Sequence, residues 1–409
     1  MGPWQAVACQ AYYFGAISKA RNNASNARCK MAGKSNIGLV LSGGGARAAY
    51  QAGVLLAISR MMPDSGRNPF PIICGTSAGA INAVAVASGA NNYRQAVHYL
   101  AQMWKQLHIQ DVYDASLAYF IKTFFHFGIS IATGGHGWRN PKSFLDNAPL
   151  RDFLARVMPF DGIRDALEQG SLQALALTAS CFSTGMSVTF FESQPHIDEW
   201  SRHQRMGVRE RISLDHLMAT SAIPLIFPST QIGKQYYCDG AIRQLTPLSP
   251  ALHLGADKLF IVGLTSQRPT AAERRISSVV PTPAQIFGHL LNSIFVDSMS
   301  IDMERLLRVN HTVSLLQGHQ DLCAQTSLKQ VDVFMLSPSQ SLESIAYQHA
   351  HEFPPVLRFL MKGAGGTRKR GMTLATYLLF EPGYCRALIA LGYKDALAQK
   401  DAIRQFLEL

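Results

Sequence analysis

Charge is scarce in this sequence: 16% of its 409 residues are Asp, Glu, Lys or Arg, well below the roughly 25% usual for a soluble domain. A chain so poor in charge and 47% hydrophobic is not a disordered, collagenous or coiled-coil protein. It needs a large interior, and its length fits one big α/β domain, alone or with an appendage. Cysteine is sparse and scattered, at Cys9, Cys29, Cys74, Cys181, Cys238, Cys323 and Cys385. With no Cys-x-x-Cys pair and no Cys/His ligand spacing, neither a disulfide framework nor a zinc site is expected, and a reducing compartment is the default. Long apolar runs are missing too. The longest uncharged stretch, residues 68–93, holds five Gly or Ser and four Asn residues, which suits a turn and a small-residue helix rather than a membrane span. No internal repeat occurs, and a secretory signal fits poorly because no positive charge precedes the N-terminal apolar stretch.

What charge there is leans one way, with 38 Lys and Arg against 27 Asp and Glu for a net +11. Such a balance favours anionic partners, acidic lipid headgroups or nucleic-acid phosphates. Residues 1–35 carry Lys19, Arg21, Arg28, Lys30 and Lys34 with no acid, alongside Trp4, Tyr12, Tyr13 and Phe14. That arm reads either as a membrane-surface segment or as a solvated leader.

Residues 37–41 (IGLVL) form a short β-prone run closed by Ser42-Gly43-Gly44-Gly45, after which residues 47–62 have helical spacing. Residues 71–74 (PIIC) run straight into Gly75-Thr76-Ser77-Ala78-Gly79 and a small-residue helix to about residue 88. This βαβα start predicts a parallel sheet. Further strands are expected at 175–181, 187–191, 236–238, 259–263 and 331–336, and helices at 214–220, 283–309 and through the C-terminal third. Residues 93–160 hold 13 of the 38 aromatic residues, among them Tyr119, Phe120, Phe124, Phe125 and Phe127. They are read as core or as a cap over a site, with the glycine-rich residues 133–137 as its hinge. Residues 363–371 (GAGGTRKRG) read as an exposed basic loop.

Gly75 to Gly79 fits G-x-S-x-G between a strand and a helix, where a sharp turn presents a nucleophile, here Ser77, and glycines at 75 and 79 keep Cβ atoms out of the bend. The alternative is a tight turn whose serine caps the helix. Gly43 to Ala48 also fits the dinucleotide fingerprint G-x-G-x-x-G/A, but the next strand ends in Cys-Gly rather than in a ribose-binding acid. Main-chain N–H groups of an oxyanion hole explain the glycines better. Arg47 in the first turn opposes the helix dipole, which points to a nearby anion or to plain solvation. Asp239-Gly240-Ala241 closes another β-prone run and can supply a base for Ser77 or orient a histidine that does.

In this order and spacing, Gly43-Gly44-Gly45-Ala46-Arg47, Gly75 to Gly79 and Asp239-Gly240-Ala241, with Ala219 to Pro228 (ATSAIPLIFP) as a fourth stretch, resemble the patatin-like phospholipase family over about residues 36–265. The resemblance implies an α/β fold, a three-layer α/β/α sandwich with a mostly parallel central sheet. It implies Ser77 as nucleophile and Asp239 as its sole partner, and an oxyanion hole from Gly43, Gly44, Gly45, Ala46 and Ala78, with Arg47, Gly75, Gly79 and Gly240 supporting the motifs. The implied activity is calcium-independent hydrolysis of acyl esters in phospholipids, lysophospholipids or neutral lipids, without metal or cofactor. Ala48 stands where many members have glycine, which bears on chain preference. The expected organisation is an arm (1–35), a catalytic domain (36–265) and a mainly helical C-terminal region (266–409) with no motif of its own.

Two other readings compete. An α/β-hydrolase triad would draw its base from His253, His289, His311, His319, His349 or His351, which follow Asp239 in chain order. A non-catalytic lipid-binding protein on the same fold is the second. The expected partners are an acyl-ester lipid and an anionic membrane surface, with no nucleic acid, and the expected location is the cytoplasm with peripheral membrane contact.

Overall fold

Five strands make the parallel centre of the sheet: β1 (Ile37–Leu41), β2 (Ile72–Thr76), β3 (Ala174–Cys181), β9 (Lys258–Val262) and β10 (Asp332–Leu336), laid side by side as β10-β9-β1-β2-β3. Beyond β3 the order continues β4 (Ser187–Ser193), β6 (Arg205–Arg209) and β5 (Trp200–Arg202), while β7 (Thr230–Ile232) and β8 (Gln235–Asp239) form a hairpin off this path. The computed structural model describes residues 35–63, 66–132, 143–266, 280–316, 326, 328–366 and 371–409. The arm at 1–34, the glycine-rich 133–137 and residues 367–370 of the basic loop lie outside them.

Alternation along the central strands explains their uninterrupted apolar sequences. Leu39, Leu41, Ile73, Leu175, Phe260 and Val262 enter one buried cluster, and their neighbours Val40, Ile72, Cys74, Ala176, Leu259 and Ile261 enter another on the opposite face. A strand buried on both faces has no polar side to show. Helices α1 (Ala49–Met61), α2 (Ala78–Ser88) and α3 (Tyr93–Gln106) cover the first face. The second is covered by residues Ser249–His253 and by a later helix through Met299 and Leu306. The result is the mixed α/β sandwich expected from the sequence.

Along the chain, α4 (Leu117–Ala132) comes after α3, and α5 (Leu214–Thr220) precedes the β7–β8 hairpin. The helix expected over 283–309 is split into α6 (Pro283–Asn292) and α7 (Ser298–Leu316) by a π-helical turn at Ser293–Asp297. Strands β5, β6 and β7 were not expected from the sequence; they are short and half-exposed, so the apolar pattern that reveals the central strands is weak in them.

The C-terminal helices α8 (Leu342–His349), α9 (Met372–Leu378) and α10 (Pro382–Ala398) belong to the first cluster. Helix α10 lies against α1 backbone to backbone: a Cβ on Gly53 would strike the Ile389 carbonyl, and one on Gly392 the Tyr50 carbonyl. The Tyr50 hydroxyl seals this contact by donating to Asp395 Oδ2 at 3.0 Å. Residues 36–409 therefore form one compact unit. The aromatic-rich region divides between two environments, since Tyr93, Trp104 and Tyr113 are fully buried whereas Phe125 is 66% exposed.

Candidate active site

Strand β3 aligns the site. Along one edge it pairs in parallel with β2 as far as Thr76, opposite Thr178; from the next residue, Ala179, the same edge pairs antiparallel with β8, beginning at Asp239. The other edge is taken by β4. Strands β2 and β8 thus run toward each other along one edge of β3 and meet end to end, which brings Ser77 and Asp239 together across 162 residues of sequence. Gly240 permits the junction, because a Cβ there would strike the Thr178 carbonyl and come within 3.0 Å of Thr76 Cγ2.

Ser77 turns the chain from β2 into α2 at φ 55° and ψ −133°, a region that costs a non-glycine residue of order 1–3 kcal/mol unless its surroundings hold it there. Thr220, the last residue of α5, does the holding. Its hydroxyl accepts the Ser77 N–H at 2.9 Å and donates to the Thr178 carbonyl at 2.5 Å. On the other side of the bend a Cβ at Gly79 would strike the Leu41 carbonyl, and one at Gly75 would lie 2.6 Å from Ala80 Cα. Both residues must therefore be glycine for the helix to pack this closely on the strand. Ala78 is the first residue of α2, so its N–H opens the helix beside the serine.

Asp239 is fully buried. Its Oδ1 accepts the Ala241 N–H at 2.9 Å, while Oδ2 has no full hydrogen bond among the described residues. The Ser77 hydroxyl lies near enough to stabilise the carboxylate. Burial outweighs both favourable contacts and pushes the acid up from 3.8 to about 7. A carboxyl so poised exchanges a proton near neutrality, as a general base must. Behind it runs a buried relay of uncharged groups in which Thr76 Oγ1 donates to Gln244 Oε1 at 2.7 Å and Gln244 Nε2 donates to Thr178 Oγ1 at 3.1 Å.

The glycine loop comes to the same place. A Cβ on Gly43 would lie 2.8 Å from Ser77 Cβ, and one on Gly44 would lie 2.6 Å from Leu264. Gly45 has φ 56° and opens a 3-10 turn, Gly45–Ala48, whose residues Ala46, Arg47 and Ala48 are buried. Arg47 is not solvated: at 2% exposure it bonds Thr376 at 2.6 Å, Asn292 at 3.1 Å and Glu343 at 3.1 Å, with its guanidinium 4.1 Å from the Tyr377 ring centroid. The anion beside it is thus a carboxylate of this chain. Ala48, where the family pattern often has glycine, is in the core, and its carbonyl accepts from Asn82 at 3.0 Å.

An apolar pocket opens on Ser77, walled by Ile81, Trp104, Phe153, Ile223, Tyr377 and other mainly aliphatic or aromatic side chains. Its lining suits a hydrocarbon chain. Of its few polar groups, Ser221 has a buried hydroxyl without a hydrogen-bond partner among the described residues. None of Thr220, Ser221, Thr178 or Gln244 stood out as a site residue in the sequence, although the first two belong to the Ala219 to Pro228 stretch; single hydroxyls and amides carry no spacing signal. No histidine hydrogen-bonds to Ser77 or Asp239 among the described residues. His253 packs edge-on to Trp200 with its pKa lowered to about 4 by burial, and His349 pairs with Glu352. His319 lies outside the described residues. Among those residues no group of His, Cys, Asp and Glu is placed to hold a metal ion, and no helix is long and apolar enough to cross a membrane.

A strained serine at a strand-to-helix elbow, a glycine loop against it and a buried acid at a strand end thus meet at one place in this α/β protein. The sequence matches the model of the family described as Patatin-like phospholipase over residues 39–252, and the chain belongs to that family. Over 215 residues it is 26% identical to a cGAMP-activated phospholipase of Pseudomonas aeruginosa, covering 53% of this chain and 55% of that protein. The chain therefore spans about half the length of this curated relative. Among solved structures, human GIVD cytosolic phospholipase A2 in complex with methyl gamma-linolenyl fluorophosphonate aligns with a TM-score of 0.41 at 13% identity, covering 91% of this chain and 59% of that one.

Proposed function

We propose that this protein is a serine lipid acyl hydrolase of the phospholipase A or lysophospholipase type, working through a Ser77–Asp239 dyad without calcium. The observation that carries the reading is the meeting of the Ser77 hydroxyl with a buried carboxyl whose pKa is near 7. Asp239 takes the hydroxyl proton as Ser77 attacks the ester carbonyl. The developing oxyanion is held by two or three N–H groups drawn from Gly43, Gly44, Gly45 and Ala46 of the loop and from Ala78, each donor that engages it contributing about 3 kcal/mol by the usual loss on its removal. The alcohol or lysolipid leaves with the proton, and Asp239 then draws a proton from water, which resolves the acyl-enzyme. The acyl chain occupies the cavity lined by Ile81, Phe153 and Ile223.

Membership of the family supports a lipid substrate, and the excess of positive charge supports peripheral contact with an anionic membrane from the cytoplasmic side. Residues 36–265 supply the dyad and the glycine loop, while 266–409 supply Tyr377 and Phe380 of the cavity wall and the partners of Arg47. A fluorophosphonate probe tests the reading without a guess at the lipid. Labelling is expected in the wild type, lost in Ser77→Ala and strongly reduced in Asp239→Asn, with no change on adding EDTA. A folded wild type that never labels, or activity that EDTA abolishes and calcium restores, overturns it.

A further inference from the structure

Helix α4 carries no carboxylate; its ionisable side chains are Tyr119, Lys122 and His126. Apolar residues recur at every fourth position, Leu117, Ile121, Phe125 and Ile129, and are 57, 62, 66 and 41% exposed. Such spacing places them along one face of the helix. The inner side is anchored instead by buried Thr123 and by Phe120, which packs on the core. An exposed apolar stripe of this length marks a surface meant for a partner.

Its position says which partner. Helix α4 follows within a few residues of Val112, which lines the acyl cavity, and Tyr113, whose ring packs on Phe227 of the cavity wall. Tyr119 of α4 lies near Ser143, and the next residue, Phe144, donates its N–H to the Leu225 carbonyl at 2.7 Å. Leu225 is 62% exposed and sits at φ 69°, a left-handed conformation that is uncommon for any residue but glycine, asparagine or aspartate. Val112 and Phe227 of the pocket lining, with the Phe144–Leu225 bond, thus place α4 and Leu225 beside the segments that wall the pocket. The two carboxylates at the foot of α4 are engaged with backbone, Asp114 on the Ser116 N–H at 2.8 Å and Asp146 on the Ala148 N–H at 2.9 Å. Lys122 is the only fully charged side chain on the helix itself, and the chain's net charge of +11 supplies the sign complementary to acidic headgroups.

We propose that the α4 stripe, with Leu225, is the docking surface for an anionic lipid bilayer, seating the acyl cavity on the membrane that holds its substrate. The inference rests on the lipid-hydrolase reading for its purpose but not for its test. The full chain would be sedimented with vesicles of three parts phosphatidylcholine to one part phosphatidylglycerol, and in parallel labelled with a fluorophosphonate. For the double variant Ile121→Ser/Phe125→Ser, at least tenfold weaker vesicle binding is expected, with labelling and turnover of a soluble short-chain ester unchanged. Leu225→Gly, whose backbone the conformation favours, should also weaken binding without unfolding.

Vesicle binding that survives in both variants overturns the proposal. So does a double variant that no longer folds, since the stripe would then be core, or one that dissociates an oligomer while still binding vesicles, since the face would then serve a second copy. A wild type that binds vesicles through α4 but never labels overturns the hydrolase reading and leaves the docking surface standing.

Discussion

Replacing Asp239 by Asn should abolish activity and at the same time stabilise the protein, because the acid is held where it is costly to ionise. The native carboxyl titrates near 7 against 3.8 for an ordinary aspartate. Between those values the folded state binds a proton that the unfolded state has released, so stability falls as pH rises from about 4 to about 7. A gap of about 3 pH units at 1.36 kcal/mol per unit amounts to about 4 kcal/mol. That is an order-of-magnitude figure, and it is fully present as a loss only above pH 7. Asn carries no charge to bury, so the variant escapes the loss. Urea unfolding at pH 8 should show Asp239→Asn more stable than the wild type by a few kcal/mol, and the two curves should converge near pH 4. Turnover should fall about 10²–10⁴-fold, the usual range for removing a general base. In the wild type, activity should drop about tenfold for each pH unit below 7, as the base is protonated. A variant no more stable than wild type at pH 8, or wild-type stability that stays flat from pH 5 to 8, would refute the reasoning, since the carboxylate would then be adequately solvated in the fold.

Three further outcomes are expected. Thr220→Val removes the acceptor of the Ser77 N–H and should slow fluorophosphonate labelling by about 10- to 100-fold, in line with the 1–3 kcal/mol for an orphaned buried donor. Thr220→Ser keeps the hydroxyl and should restore most of the rate, whereas a purely structural role would show equal losses in both. Ile81→Trp intrudes on the cavity and should cost long-chain p-nitrophenyl esters at least tenfold relative to the acetate, read as the ratio of kcat/KM values. Glu343→Ala leaves the buried Arg47 without its carboxylate; since Glu343 is 29% exposed, the loss should be about 1–3 kcal/mol in urea unfolding, below the full range for a wholly buried pair.

Much of the catalytic half was legible because its signals are local. A strand buried on both faces is apolar at most positions, so β1, β2, β3 and β9 announce themselves, and residues 37–41, 78–88 and 214–220 fold as their sequences suggest. The elbow and the Asp239-Gly240 turn are short segments whose glycines are demanded by nearby backbone, and a steric demand of that kind leaves a motif. Arg47 was ambiguous for the opposite reason. Its partners lie 245 to 329 residues further on, and no spacing rule links them to the glycine loop.

The sequence by itself determined the α/β class, the strand-loop-helix start, the absence of a spanning helix among the described residues, and which serine and which acid were worth watching. Only the tertiary structure decided that β2 and β8 meet end to end on one edge of β3, which is what turns two distant motifs into one site. It also decided that the C-terminal helices close the cavity and hold Arg47, and that the apolar stripe of α4 faces outward. The physical reason is common to all three. Periodicity records whether a side chain is covered, but what covers it is settled by long-range packing, and at Asp239 that packing also moves the proton affinity of an ordinary aspartate to neutrality.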